Sequence, residues 1–360
     1  MSAPVKATAL RAGIWAQAAF LAACHLGSSD DSFGGPPACR SSAAASPSAP
    51  VAVGTPVLQQ VADVPLPGAA VRFDYQSLDT LRDRLYISHM VAGQVVVFDV
   101  KNRQVTGVID TLPGVTGVLA VPELGKVYAS VTGSHQVAVI DPQTLKVVAR
   151  VGTITFPDGI AYAPDQKKVY VSDEAGGNDV VIDGLSDKVL TSIALGGDAG
   201  NTVYDPRSGC VLVAVQTRNQ VVAIDPATDA VVGRYHFDLA AHPHGLHVDA
   251  ARHRLFIANQ DNATLLSVDL DRMQPLGTAP IGDAADVLAF DPVLQRLYVA
   301  SESGVVSVFT DRALELTPEG TVTLPHGHTV AVDPRTHLVY FPLQDVNGAP
   351  LLRIMTATQP

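Results

Sequence analysis

Histidine and aspartate are the residues of this chain best suited to chemistry, and they recur at one spacing. His244 stands in HPHGLH and His328 in PHGH, with Asp286 midway, 42 residues from each. Continued backward, nearly the same step passes through Gly200, Asp158, Thr116 and Asp74. Five of these seven positions can bind a metal or transfer a proton. Two imidazoles and a carboxylate, His244, Asp286 and His328, suit a divalent metal such as zinc or iron with coordination positions left for a ligand. Asp74, His89, Asp158, Asp173, His242, Asn259 and His326 share the same phase of the repeat or lie beside it, and form the candidate ligand-binding set.

The elements that must position these residues are short strands. The stretch FPDGIAYAPDQKKVYVSDEAGGNDVVIDGLSDKVLTSIALGG, residues 156–197, holds four apolar runs, GIAYA, KVYVS, DVVID and VLTSIAL. Each is rich in β-branched or aromatic residues and cut off by turn residues such as Pro164-Asp165 and Gly176-Gly177-Asn178. Their period of two predicts antiparallel strands rather than helix. Copies follow one another: Tyr86, Tyr128, Tyr170, Leu212, Phe256, Tyr298 and Tyr340 mark the second strand at steps of 42 or 44 residues. Phe98, Ile140, Ile182, Ile224, Val268, Phe309 and Ile354 mark the third. Seven units of about 40 residues with four strands each predict an all-β, seven-bladed β-propeller with four-stranded antiparallel blades. The segment VLQQVADVPLPG, from Val57, matches a fourth strand, whereas the last unit ends after its third. The N-terminal strand is therefore expected to close the last blade and remove the open sheet edge. In this order of strands the seven repeat positions, five of them His or Asp, open the innermost strands at one rim of the channel. His253 and His337 fall in turns of the opposite rim and are expected to be solvated, and His247, inside an inner strand, to be packed.

The unit beginning PDGIAYA and continuing KVYVS, DVVID and VLTSIALGG resembles the YVTN-type (YncE-like) β-propeller repeat. The resemblance covers residues 57–360 and implies the propeller fold. Family members serve as binding or scaffold modules in the cell envelope, and related propellers act as lactonases or lyases. The resemblance therefore implies a binding role without excluding an enzyme. At the channel mouth the family's usual residue is the Asp of PDG, so His244 and His328 depart from the pattern.

Composition narrows the field further. The chain has 360 residues, 47% hydrophobic, and a formal net charge of −11, which argues against sequence-independent nucleic-acid binding. No Cys-x-x-Cys-His for covalent haem and no Gly-x-Ser-x-Gly elbow occurs. Residues 1–23 read as a signal peptide, with Lys6 and Arg11 before an apolar core and LAAC at the cleavage site. LAAC looks like a lipobox, which makes Cys24 the lipidated residue, and residues 24–56 form a Ser/Ala/Pro/Gly-rich tether. The expectation is a monomeric lipoprotein on the periplasmic side of a bacterial membrane, the outer rather than the inner, touching the membrane only through its lipid. It would bind a small molecule, a divalent metal or an envelope protein at the His/Asp-rich rim. The alternatives are a metal-assisted lactonase, hydrolase or lyase using the same rim, and a protein-interaction scaffold.

Overall fold

A computed structural model describes residues 56–312 and 315–358. Its strands form seven four-stranded antiparallel sheets arranged as the blades of a propeller. Blades 1 to 6 span residues 76–109, 115–151, 157–194, 199–236, 243–280 and 285–323. Blade 7 consists of Ala331–Asp333, Leu338–Val346 and Ala349–Ala357, completed by Leu58–Pro65 from the other end of the chain. That closing strand pairs from Leu58 opposite Ala357 to Pro65 opposite Leu351, and Arg353 holds Asp63 at 2.7 Å. Among the described residues no helix is long and apolar enough to cross a membrane.

Burial grades outward through each blade. Second and third strands, such as Lys168–Asp173 and Asn178–Asp183, are buried on both faces because neighbouring blades cover them. They are accordingly continuous runs of Val, Ile and Tyr. Outer strands such as Lys146–Val151 alternate between exposed and half-buried residues, as strands with one wet face do. The register expected for the last blade is off by one: Val339 pairs with Met355, and Ile354 pairs with Tyr340. Met355 therefore holds the place that Ile182 holds opposite Val169 in blade 3.

Two features of the blades set up the channel mouth. The innermost strands of blades 2 to 6 shift register near their start, for example between Pro157 and Ile160 and between Pro243 and Leu246. The shift releases Asp158, His244 and their counterparts from the ladder and re-aims them. The next residue is glycine in blades 2, 3 and 5 because the neighbouring blade passes against it. A Cβ on Gly117 would lie 2.0 Å from the Asp158 carbonyl oxygen, and one on Gly245 2.2 Å from that of Asp286.

At the opposite rim, adjacent blades are tied together by the residues that open and anchor the second strand. Lys126 reaches Asp187 of the next blade at 2.8 Å, and the Tyr128 hydroxyl donates to the same carboxylate at 3.1 Å. Lys168 and Tyr170 hold Asp229 in the same way. Arg254 is buried and paired with buried Asp311. Blade 4 has Cys210 and Leu212 at these two places, and His253 supplies the tie. Its ring lies between Asp205, 2.9 Å from Nε2, and Asp271, 2.7 Å from Nδ1. The expectation that His253 and His337 are solvated is thus corrected. His253 is 7% exposed, and His337 is half-buried with Nδ1 2.7 Å from Asp291.

Candidate functional site at the channel mouth

The seven repeat positions ring the channel, and five carry the buried ionisable side chains Asp74, Asp158, His244, Asp286 and His328. They line or adjoin a cavity of about 140 Å³, whose wall also includes Arg72, Tyr75, Phe156, Glu174, Gln260 and Glu302. Asp286 of blade 6 is the hub. Its Oδ1 meets His244 Nε2 of blade 5 at 3.2 Å, and its Oδ2 lies 4.0 Å from His328 Nε2 of blade 7. Asp74, Asp286 and His328 each offer one ligand atom within 4.8 Å of the others. The structure therefore groups Asp286 and His328 with Asp74, while His244 takes the other oxygen of Asp286. Among the described residues His328 Nε2 has no hydrogen-bond partner although the side chain is buried.

Tyr75 is the residue that sequence reasoning missed. From blade 1 its hydroxyl reaches across the channel, donates to Asp158 Oδ2 of blade 3 at 3.0 Å and lies 3.4 Å from His244 Nε2 of blade 5. A signal was present, since the same repeat position is Gly117, Gly159 and Gly245 in other blades. A bulky residue in place of glycine marks a blade whose side chain goes elsewhere. Arg72 was missed too; it pairs with Glu302 at 2.8 Å and lies 3.8 Å from Asp286.

Burial and charge divide the acids and bases of the mouth. Burial, with Asp286 and Asp158 nearby, pushes the Asp74 carboxyl well above the usual range. Burial also lifts Asp158, to about 6, against the opposing pull of His244. Burial opposes charge on His244, but its hydrogen bond and ion pair with Asp286 win and push it up to about 9. Burial acts on Asp286 in the upward direction, and pairing with His244 nevertheless holds it below the usual carboxylate range. His328, 4.0 Å from the carboxylate, is lowered by burial. Near neutral pH the mouth thus holds an imidazolium–carboxylate pair and a neutral imidazole, with Asp74 keeping its proton to higher pH than an ordinary carboxyl does. A neutral imidazole beside two carboxyl groups is a set that can take up a divalent cation and release a proton.

The remaining candidates of the ligand-binding set lie outside the cavity wall. His89 is buried and stacked on Phe73, with ring centroids 4.0 Å apart. Asp173 accepts backbone N–H groups of Thr155, Phe156 and Gly176 at 3.1, 2.7 and 3.1 Å and so shapes its turn. Asn259 accepts from the Ala241 N–H through Oδ1 and donates through Nδ2 to the Thr264 carbonyl. His242 and His326 occupy left-handed turn positions, His242 facing Gln260 Oε1 at 3.2 Å and His326 exposed. Cys24, the expected lipidation site, and the expected signal peptide lie outside the described residues.

No family model matches the chain, and no curated protein is similar to it in sequence. Among solved structures it is similar to a chain of hydrazine synthase from Kuenenia stuttgartiensis, with a TM-score of 0.69 and 16% identity. The match covers 80% of this chain and 96% of that one. At that identity the likeness is one of fold, and the fold is a seven-bladed β-propeller of four-stranded blades.

Proposed function

We propose that this propeller is a binding module of the YVTN (YncE-like) type, held at the cell envelope by a lipid on Cys24, whose channel mouth binds a divalent metal through Asp74, Asp286 and His328. The observation that carries the metal is the approach of those three buried side chains, from blades 1, 6 and 7, to within 4.8 Å of one another. The envelope reading is supported by the LAAC segment and the polar tether after it, and the family reading by the repeat itself. One imidazole and two carboxylates form an oxygen-rich set suited to Mn²⁺, Fe²⁺ or Zn²⁺. His244 stands behind Asp286 as its hydrogen-bond partner and fixes its orientation, as outer partners of metal ligands do.

A second reading, metal-assisted hydrolysis or lyase chemistry, draws on Asp158. Its carboxyl is pushed up to about 6, faces the same cavity and is held by Tyr75. A group of that basicity beside a metal site is suited to general-base work.

The test is metal analysis of the purified protein after dialysis against Mn²⁺ and Zn²⁺. One ion per chain is expected for the wild type. His328→Ala and Asp286→Asn should each abolish it, and His244→Ala should weaken binding by about 10- to 100-fold. A wild type that retains no ion, or an Asp286→Asn variant that keeps it, would overturn the metal reading. Turnover of lactone or ester substrates by the loaded protein would favour the enzyme over the binding module.

A further inference from the structure

Resting on the metal reading, the wall of the same cavity bears on what else the mouth takes. Most charged donors of the cavity wall already face carboxylates, although Arg72 Nε and His244 Nδ1 have no partner among the described residues. Arg72 is given to Glu302 at 2.8 Å and leans toward Asp286 at 3.8 Å. The Nε2 of His244 is given to Asp286 at 3.2 Å, and the Tyr75 hydroxyl to Asp158 Oδ2 at 3.0 Å. The amide of Gln216 beside the cavity is shared between Glu174 Oε1 at 3.0 Å and the Ala199 carbonyl at 2.7 Å. Beside the Gln260 amide, what remains facing the cavity is acceptors. Among the described residues no group donates to Asp158 Oδ1 or to Glu174 Oε2, the second oxygens of two carboxylates on the wall.

We propose that the cavity binds a small primary amine that also carries an oxygen donor, its ammonium held by Asp158 and Glu174 of blade 3 and its oxygen directed to the metal at Asp74, Asp286 and His328. The chemistry follows from those two open carboxylate oxygens. An ammonium brings three N–H groups and a positive charge to carboxylate oxygens that lack partners. A carboxylate or phosphate would meet those same oxygens with like charge and nothing to donate. A second metal ion would lack a third ligand, because the one convergent group of three His, Cys, Asp or Glu side chains among the described residues is Asp74, Asp286 and His328. Phe156 and Tyr75 add aromatic surface to the wall, which a cation tolerates and a bare anion does not. A cavity of about 140 Å³ limits the ligand to a few heavy atoms.

The probe pair is ethanolamine and ethylene glycol, which match in size and differ in the ammonium, with glycolate as the anionic member. Calorimetric titration of the Mn²⁺-loaded full chain should show ethanolamine binding at least about tenfold tighter than ethylene glycol, and on chelator-treated protein, where no metal attracts its carboxylate, glycolate should bind more weakly than either. The double variant Asp158→Asn, Glu174→Gln should bring the ratio of ethanolamine to ethylene glycol close to one. If the double variant does not fold, Glu174→Gln alone, at a partly exposed position, should lower the ratio by severalfold. Equal binding of the two probes, tighter binding of glycolate to the chelator-treated protein, or a preference that survives both substitutions would overturn the inference. The same titrations on chelator-treated protein separate the two readings. An amine preference in a protein that takes up no metal sinks the metal reading and the oxygen contact to it but leaves the ammonium site, and metal uptake without amine preference sinks the ammonium site alone.

Discussion

Asp179 stands on the third strand of blade 3 where the same ladder position holds Val95, Val137, Val221, Leu265 and Val306 in other blades. It is fully buried, neither carboxylate oxygen has a hydrogen-bond partner among the described residues, and burial pushes its carboxyl up to about 7. The folded state therefore prefers the protonated form more strongly than the unfolded chain does. Stability conferred on the neutral acid is full below the unfolded value near 4 and is lost as pH rises to about 7. Asp179→Asn removes that ionisation. It should raise stability at pH 8 by roughly 2–4 kcal/mol and change little at pH 4, as read from denaturant unfolding at both pH values. A substitution that destabilises equally at both would show that the ionised carboxylate is satisfied. The two mouth histidines make the complementary point. His244 and His328 occupy the same repeat position, yet a carboxylate at 3.2 Å raises one and burial, with the carboxylate at 4.0 Å, lowers the other.

At the scale of strands, the closing element Leu58–Pro65 is the one whose removal has a calculable effect. Leu58 and Leu66 are buried, and Ala62 and Val64 pack against the core that includes Leu352 and Ile354. Losing two buried leucines alone costs about 4 kcal/mol, at ~2 kcal/mol each, and strips the partner from Ala349–Ala357. A chain beginning at residue 67 should unfold at a distinctly lower denaturant midpoint than one beginning at residue 56; coincident midpoints would contradict the closure. Closure was legible in advance because a fourth-strand pattern stood at one chain end and a missing one at the other. The blades were legible for the same reason: Tyr86, Tyr128 and Tyr170 repeat at a constant step. The last blade's register was not, because Leu338–Val346 is longer than its counterparts and shifts between Leu343 and Val346, which breaks the count. Neither were the partners of His253, since Asp205 and Asp271 meet it from two different turns. The ring of mouth positions could be read from spacing. Which members touch could not, because Asp74 joins Asp286 and His328 only when blade 1 follows blade 7 around the closed ring.

For the whole molecule, the net charge of −11 and a mouth lined with carboxylates favour cations at the rim. If the chain is lipid-anchored, Cys24→Ser should move it from the membrane fraction to the soluble fraction with its blades intact. Wild-type protein found soluble and without acyl mass would contradict the anchor. The closing strand also has a mechanical meaning. The chain enters the propeller through Val57 and leaves it at Thr358, where the Thr358 N–H donates to the Val57 carbonyl at 3.1 Å. Tension between the two ends is therefore borne by one pair of strands, with the other six blades off the load path. Directly behind the loaded strand the chain runs through Leu66 to Arg72, Asp74 and Tyr75. A pull strong enough to peel that strand would displace the channel's mouth before it disturbed any other blade.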